Sequence, residues 1–236
     1  MDKVNEFEHG IDTVTKARSD SLRFGGLSNE QFRYVSSNEL LATETGKKAF
    51  RDMIETFFNL QRKRLQVLAS YAQGDNYSIL AGSRRLDKEK ADYRVRHKWG
   101  GYISSFATSY VIGNPVTIGI LEGAEEEQLK VIEEIEWQND INSLNNNLAF
   151  DASVYGRAFE YHFRDKDNID RVVLISPLEM FVIRDLTVEQ NIIAAVHLPI
   201  FADKVSATVY TKDRIISYKP FSVNSINLIV ESDKKH

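Results

Sequence analysis

Residues 1 to about 36 show no sustained period; from there to about Tyr155 apolar positions recur three or four apart, and along the last third two apart. From about Glu39 to Gln73, Phe50, Met53, Ile54, Phe57, Phe58, Leu65, Leu68 and Tyr71 keep helical spacing, and Gly74 is placed to end the helix. A second helix carries Trp99, Tyr102, Ile103, Phe106, Tyr110 and Val111 on one face. Gly113-Asn114-Pro115 stops it, because proline disfavours helical geometry in the residue before it. After the stop, Val116, Ile118 and Ile120 alternate with Thr117 and Gly119, which predicts a half-buried strand. An acidic helix is expected over Glu122 to Asn139, with Leu129, Ile132 and Ile135 inward, followed by a helix that Tyr155-Gly156 closes.

Beyond Gly156 the period changes. Phe159 to Phe163, the turn Asp165-Lys166-Asp167-Asn168, and Val172 to Ile175 read as a hairpin. Further short strands are predicted over Met180 to Ile183, Ile192 to Leu198, Ala207 to Thr211, Ile215 to Tyr218 and Asn227 to Val230. A run of helices followed by a run of strands predicts an α+β fold with a mainly antiparallel sheet, not alternating α/β. The expected division is a flexible arm over residues 1–36, a helical part over 37–156 and a β-rich part over 157–236. Phe57, Phe58, Trp99, Tyr102 and Phe106 are the expected core, packed on the strand layer.

Composition narrows the function classes. The 236 residues are 42% hydrophobic with a net charge of -4, so bulk charge does not mark a nucleic-acid binder. With no cysteine, disulfides and thiolate metal sites are ruled out. The 5 histidines include no pair at helical i, i+4 spacing, and no phosphate loop, dinucleotide fingerprint or nucleophile elbow occurs. No cofactor is expected. The N-terminus lacks the pattern of a secretory signal, and no apolar run reaches the roughly 20 residues a membrane helix needs.

Paired carboxylates leave one catalytic alternative. Asp87 and Glu89 with Lys90, or Asp151 with Glu160, could hold a divalent ion beside a phosphate in a nuclease. Solvated side chains and capping roles at a helix end explain the same residues.

Charge is unevenly spread. Between Arg84 and Lys98 stand Arg84, Arg85, Lys88, Lys90, Arg94, Arg96 and Lys98 against Asp87, Glu89 and Asp92, seven minus three, or +4. Between Glu122 and Asp140 stand Glu122, Glu125, Glu126, Glu127, Glu133, Glu134, Glu136 and Asp140 against Lys130, eight minus one, or -7. Opposite patches suit head-to-tail contact between identical subunits, while ordinary solvated surface and direct DNA contact by the basic segment are the alternatives.

Several motifs stand in a telling order. They are Tyr71-Ala72-Gln73-Gly74; Tyr110-Val111-Ile112-Gly113-Asn114-Pro115-Val116-Thr117; Asp151-Ala152-Ser153-Val154-Tyr155-Gly156-Arg157-Ala158-Phe159-Glu160; Ile175-Ser176-Pro177-Leu178-Glu179; Ala194-Ala195-Val196; and Val209-Tyr210-Thr211-Lys212-Asp213. The series, over roughly residues 40 to 220, resembles the portal proteins of long-tailed bacteriophages. Ala72 departs from the tyrosine expected there. The resemblance implies a non-enzymatic structural protein of the virion, assembled in the host cytoplasm into a ring, usually dodecameric, at one capsid vertex. It implies partners too: further copies of itself, scaffolding and major capsid protein, terminase, head-tail connector, and double-stranded DNA passing through the channel. No membrane partner is implied. By the same resemblance this chain corresponds to the N-terminal wing and lacks the stem, clip and crown, so no DNA-gripping residue is assigned.

Overall fold

The computed structural model describes residues 34–36, 40–75, 93–120 and 126–235. The fold is α+β and divides into two compact units. Unit 1 comprises residues 1–64 and 181–236, and unit 2 residues 65–180. The division therefore does not follow the change of period near residue 156. Of the expected arm over residues 1–36, only Tyr34–Ser36 lie within the described residues, and there Tyr34 and Val35 form a strand.

Unit 1 is a sheet with a helix. Strand β1 (Tyr34–Val35) pairs parallel with β4 (Met180–Arg184); the sheet order is β1-β4-β5-β7-β8-β9, with the short β6 also on β7. Here β5 is Ile192–His197, β6 Ile200–Phe201, β7 Lys204–Thr211, β8 Arg214–Ser222 and β9 Val230–Lys235. The β5, β7, β8 and β9 ladders are antiparallel. Alternation along β7 buries Val205, Ala207 and Val209 and leaves their neighbours outward.

Helix α1 (Glu44–Thr56) begins where Thr43 Oγ1 accepts the Gly46 amide at 3.1 Å, satisfying one of the donors that a helix start leaves open. A π turn over Phe57–Gln61 links it to α2 (Arg62–Gln73). Phe50, Ile54, Phe57 and Phe58 bury against Tyr34, Phe181, Ile183, Val196, Val209 and Tyr218. Phe57 makes ring contacts with Phe58 at 5.5 Å and Phe181 at 5.2 Å between centroids. Gln61 is also buried, and neither atom of its side-chain amide has a hydrogen-bond partner among the described residues.

Unit 2 holds the end of α2, α3 (Trp99–Ile112), α4 (Glu126–Asn139), α5 (Ile141–Tyr155) and the hairpin β2–β3 (Phe159–Arg164, Asp170–Ile175). The helix ends follow their glycines. At Gly74, φ 83°, the Gly74 amide donates to Tyr71 O and the Asp75 amide to Ser70 O, which is the Schellman arrangement. At Gly156, φ 71°, a single bond to Ala152 O makes the simpler left-handed cap. Buried Pro177 opens the turn after β3, where the Glu179 amide donates to Ser176 O.

Asn139 ties the helical layer to the hairpin. Its side-chain amide donates to Asp170 O at 2.9 Å and its oxygen accepts the Val172 amide at 3.0 Å. The strand expected after Pro115 does not form: residues 115–120 are irregular and Val116, Ile118 and Ile120 are exposed. An extended segment becomes a strand only when a ladder pairs its amides and carbonyls. Tyr77 to Leu80, read as a short extended piece, lies outside the described residues.

Candidate subunit interface

Helix α3 is turned inside out relative to the sequence expectation. Gly101, Ser104 and Thr108 are its buried residues, spaced on one face. Trp99, Tyr102 and Phe106, expected in the core, are 63%, 63% and 67% exposed, with Ile103 and Tyr110 on the same side. Close packing explains the inversion. A Cβ on Gly101 would overlap the Ala72 carbonyl oxygen, and one on Gly100 would stand 3.0 Å from the Tyr71 carbonyl oxygen. On the side facing α5, Ser153 Oγ donates to Ser104 Oγ at 3.1 Å. Backbones this near leave no room for aromatic rings, so the large side chains face outward.

The face has a defined chemistry. Trp99 and Tyr102 meet edge to face at 5.9 Å between centroids. Just before them Arg94, Arg96 and Lys98 precede the helix; Lys98 is exposed, and Arg96 pairs with Asp75 at 2.6 Å. Arg84, Arg85, Lys88, Lys90 and Glu125, from the predicted charged patches, lie outside the described residues.

Helix α4 presents the opposite charge. Glu126, Glu127, Glu133 and Glu134 are exposed on it, and Trp137 is 84% exposed. Glu126, Glu133 and Trp137 fall on one stripe at i, i+7 and i+11. Sequence reasoning missed Trp137 as a surface residue, and the offset of seven and eleven from Glu126 was the available signal. It likewise missed Gly101, Ser104 and Thr108, although three small residues at helical spacing opposite a row of aromatics mark a close-packed side.

Of the residues weighed for metal chemistry, only Asp151 and Glu160 fall within the described residues. Among the described residues no group of three His, Asp or Glu side chains could hold a metal ion. Asp87, Glu89 and Lys90 lie outside those residues. Burial pushes the Asp151 carboxyl up from its ordinary range, and burial followed by the Asp151 charge pushes the Tyr155 hydroxyl up. Near the β7–β8 turn, Lys212, Asp213, Arg214 and Lys235 line an open hollow, with Arg214 held by Asp233 at 3.4 Å. Among the described residues no helix is long and apolar enough to cross a membrane.

Exposed aromatics on α3, the basic residues that lead into it and the acidic face of α4 are the main surface features among the described residues. Comparison with protein families gives a match to "Phage portal protein, SPP1 Gp6-like" over residues 52–236. The chain belongs to this phage portal family, whose members are structural proteins of the bacteriophage capsid that serve genome packaging. The family implies a homo-oligomeric ring. No curated protein matches the chain.

Proposed function

We propose that this chain forms the wing layer of a ring-shaped portal at one capsid vertex. Double-stranded DNA passes through the ring during packaging and ejection, and the ring presents docking surfaces to the terminase motor and later to the head-tail connector. What supports the reading is the family match over residues 52–236 together with the exposed aromatic face of α3. A soluble monomer rarely shows a contiguous apolar patch beyond a few hundred Å². The ring order expected from the resemblance is twelve.

Electron microscopy of the purified protein, alone and with terminase, tests the proposal. Closed rings with a central channel, decorated by terminase at one end, are the expected images. Protein that stays monomeric at every concentration and carries no terminase contradicts it.

A further inference from the structure

We propose that α3 of one subunit receives α4 of a second copy: the aromatic face led by Trp99, Tyr102 and Phe106, with its basic lead-in, takes the acidic stripe that ends at Trp137. The contact rests on the ring reading above, and supplies its residues. Four observations converge on it.

The first is unmet apolar surface. Trp99, Tyr102 and Phe106 are each more than 60% exposed and Tyr110 is 85% exposed. Aromatic side chains bury about 150–250 Å² each. These four with Ile103 therefore approach the roughly 800 Å² per partner of a standard interface.

Direction is the second: the packed side of α3 is committed to α5 and to the end of α2, and the aromatic face points the other way, exposed.

Charge complementarity is the third. Arg94, Arg96 and Lys98 lie at the start of the aromatic face, and Glu126, Glu133 and Glu134 line the approach to Trp137. An anionic membrane would suit the aromatic and basic face equally well, but it would leave Trp137 on its acidic helix unexplained.

The fourth is symmetry. Two different surfaces of one chain meeting head to tail repeat around an axis, and close into a ring when the rotation permits. A face meeting itself would stop at a dimer, and would set like charges against each other.

A charge exchange tests the contact. One variant carries Arg94→Glu and Lys98→Glu; the other carries Glu126→Lys, Glu133→Lys and Glu134→Lys. Alone, each sets like charges across the contact, and its mass by sedimentation velocity should fall at least about twofold below wild type. Mixed in equal amounts, the two can alternate around a ring with every contact complementary, so the wild-type mass should return. Thermal melting monitors folding. Tyr110→Ser with Trp137→Ser, both at highly exposed positions, gives a second route to the same loss without touching a charge.

A variant that keeps its wild-type mass alone, or a mixture that stays dissociated, overturns the contact and leaves the ring reading standing. Binding of the basic face to phosphatidylserine vesicles by wild-type protein that remains monomeric overturns both, as does a monomeric wild type without vesicle binding.

Discussion

The two units solve the problem of apolar surface in opposite ways. In unit 1, Phe50, Phe57, Phe181, Val196 and Val209 are wholly buried between α1 and the sheet. Among the described residues of unit 2 the buried apolar ones are few, Leu65, Leu144 and Ile175 among them, while Trp99, Tyr102, Phe106, Tyr110 and Trp137 stand exposed. Aromatic residues thus perform different tasks in the two units. In unit 1 they stabilise the chain itself; in unit 2 they stand in solvent, because close packing against α2 and α5 turns glycine, serine and threonine of α3 inward, and the contact proposed above would give them a neighbour to meet.

The sharpest way to break this contrast is a pair of truncations. Phe57→Ala removes a ring that touches Phe58 and Phe181 and leaves a cavity, and should cost about 3–5 kcal/mol in chemical denaturation. Trp99→Ala removes a side chain that is mostly in solvent, and the unassembled chain should lose no more than about 0.5 kcal/mol. Equal losses in the two variants would erase the distinction between the units.

Next in size is Gly101→Val. Its side chain would be driven into the Ala72 carbonyl, and an overpacked site of this kind loses about 1–3 kcal/mol. A melting temperature equal to wild type would show that α3 does not sit as close as described.

In unit 1 a polar group sits in the apolar core. Gln61 is buried with neither amide atom satisfied among the described residues, so Gln61→Leu should stabilise the chain by about 1 kcal/mol. A lowered midpoint in urea would mean that the amide has a partner in solution.

The smallest effect concerns pH and the β2–β3 hairpin. The Ile169 amide, then the Arg171 guanidinium, hold the Asp165 carboxyl below its ordinary value of 3.8, and Arg164 does the same for Asp170. For carboxyls lowered in the folded state, the stabilisation is complete above the unfolded value and is lost as pH falls through the folded one. Protection of the Ile169 and Asp167 amides against hydrogen exchange should therefore hold at neutral pH and weaken only below about pH 4. Asp165→Asn should flatten that dependence, and an unchanged pH profile in this variant would assign the effect to other groups.

Much of this fold was legible locally. Gly74 and Gly156 end helices because only a left-handed residue closes their caps, and that requirement is written in the glycine itself. The hairpin followed from alternation around Asp165-Lys166-Asp167-Asn168, where Asn168 takes φ 62° as turn chemistry allows. Strands β4, β5, β7 and β8 overlap the alternating runs predicted for them, although β9 begins at Val230, where the expected strand ends.

What sequence could not decide was which way an amphipathic helix faces. Periodicity placed Trp99, Tyr102 and Phe106 on one side of α3 correctly, but an apolar stripe looks the same whether it meets its own core or another chain. The opposite stripe of small residues held the answer, because a carbonyl of α2 occupies the space that a side chain at Gly101 would need. Residues 115–120 teach the same lesson for strands, since alternation there finds no ladder partner among the described residues. For the proposed contact, the run of acidic residues on α4 was legible in sequence, whereas the exposure of Trp137 required the fold.

The most direct measurement is the mass distribution of wild type beside Trp99→Ser with Phe106→Ser, taken by sedimentation velocity together with thermal melts. Wild type is expected to assemble, and the double variant to sediment as a smaller species with its melting temperature nearly unchanged. A double variant that assembles like wild type, or one that unfolds before it dissociates, would contradict the claim that these aromatics are kept for a neighbouring subunit.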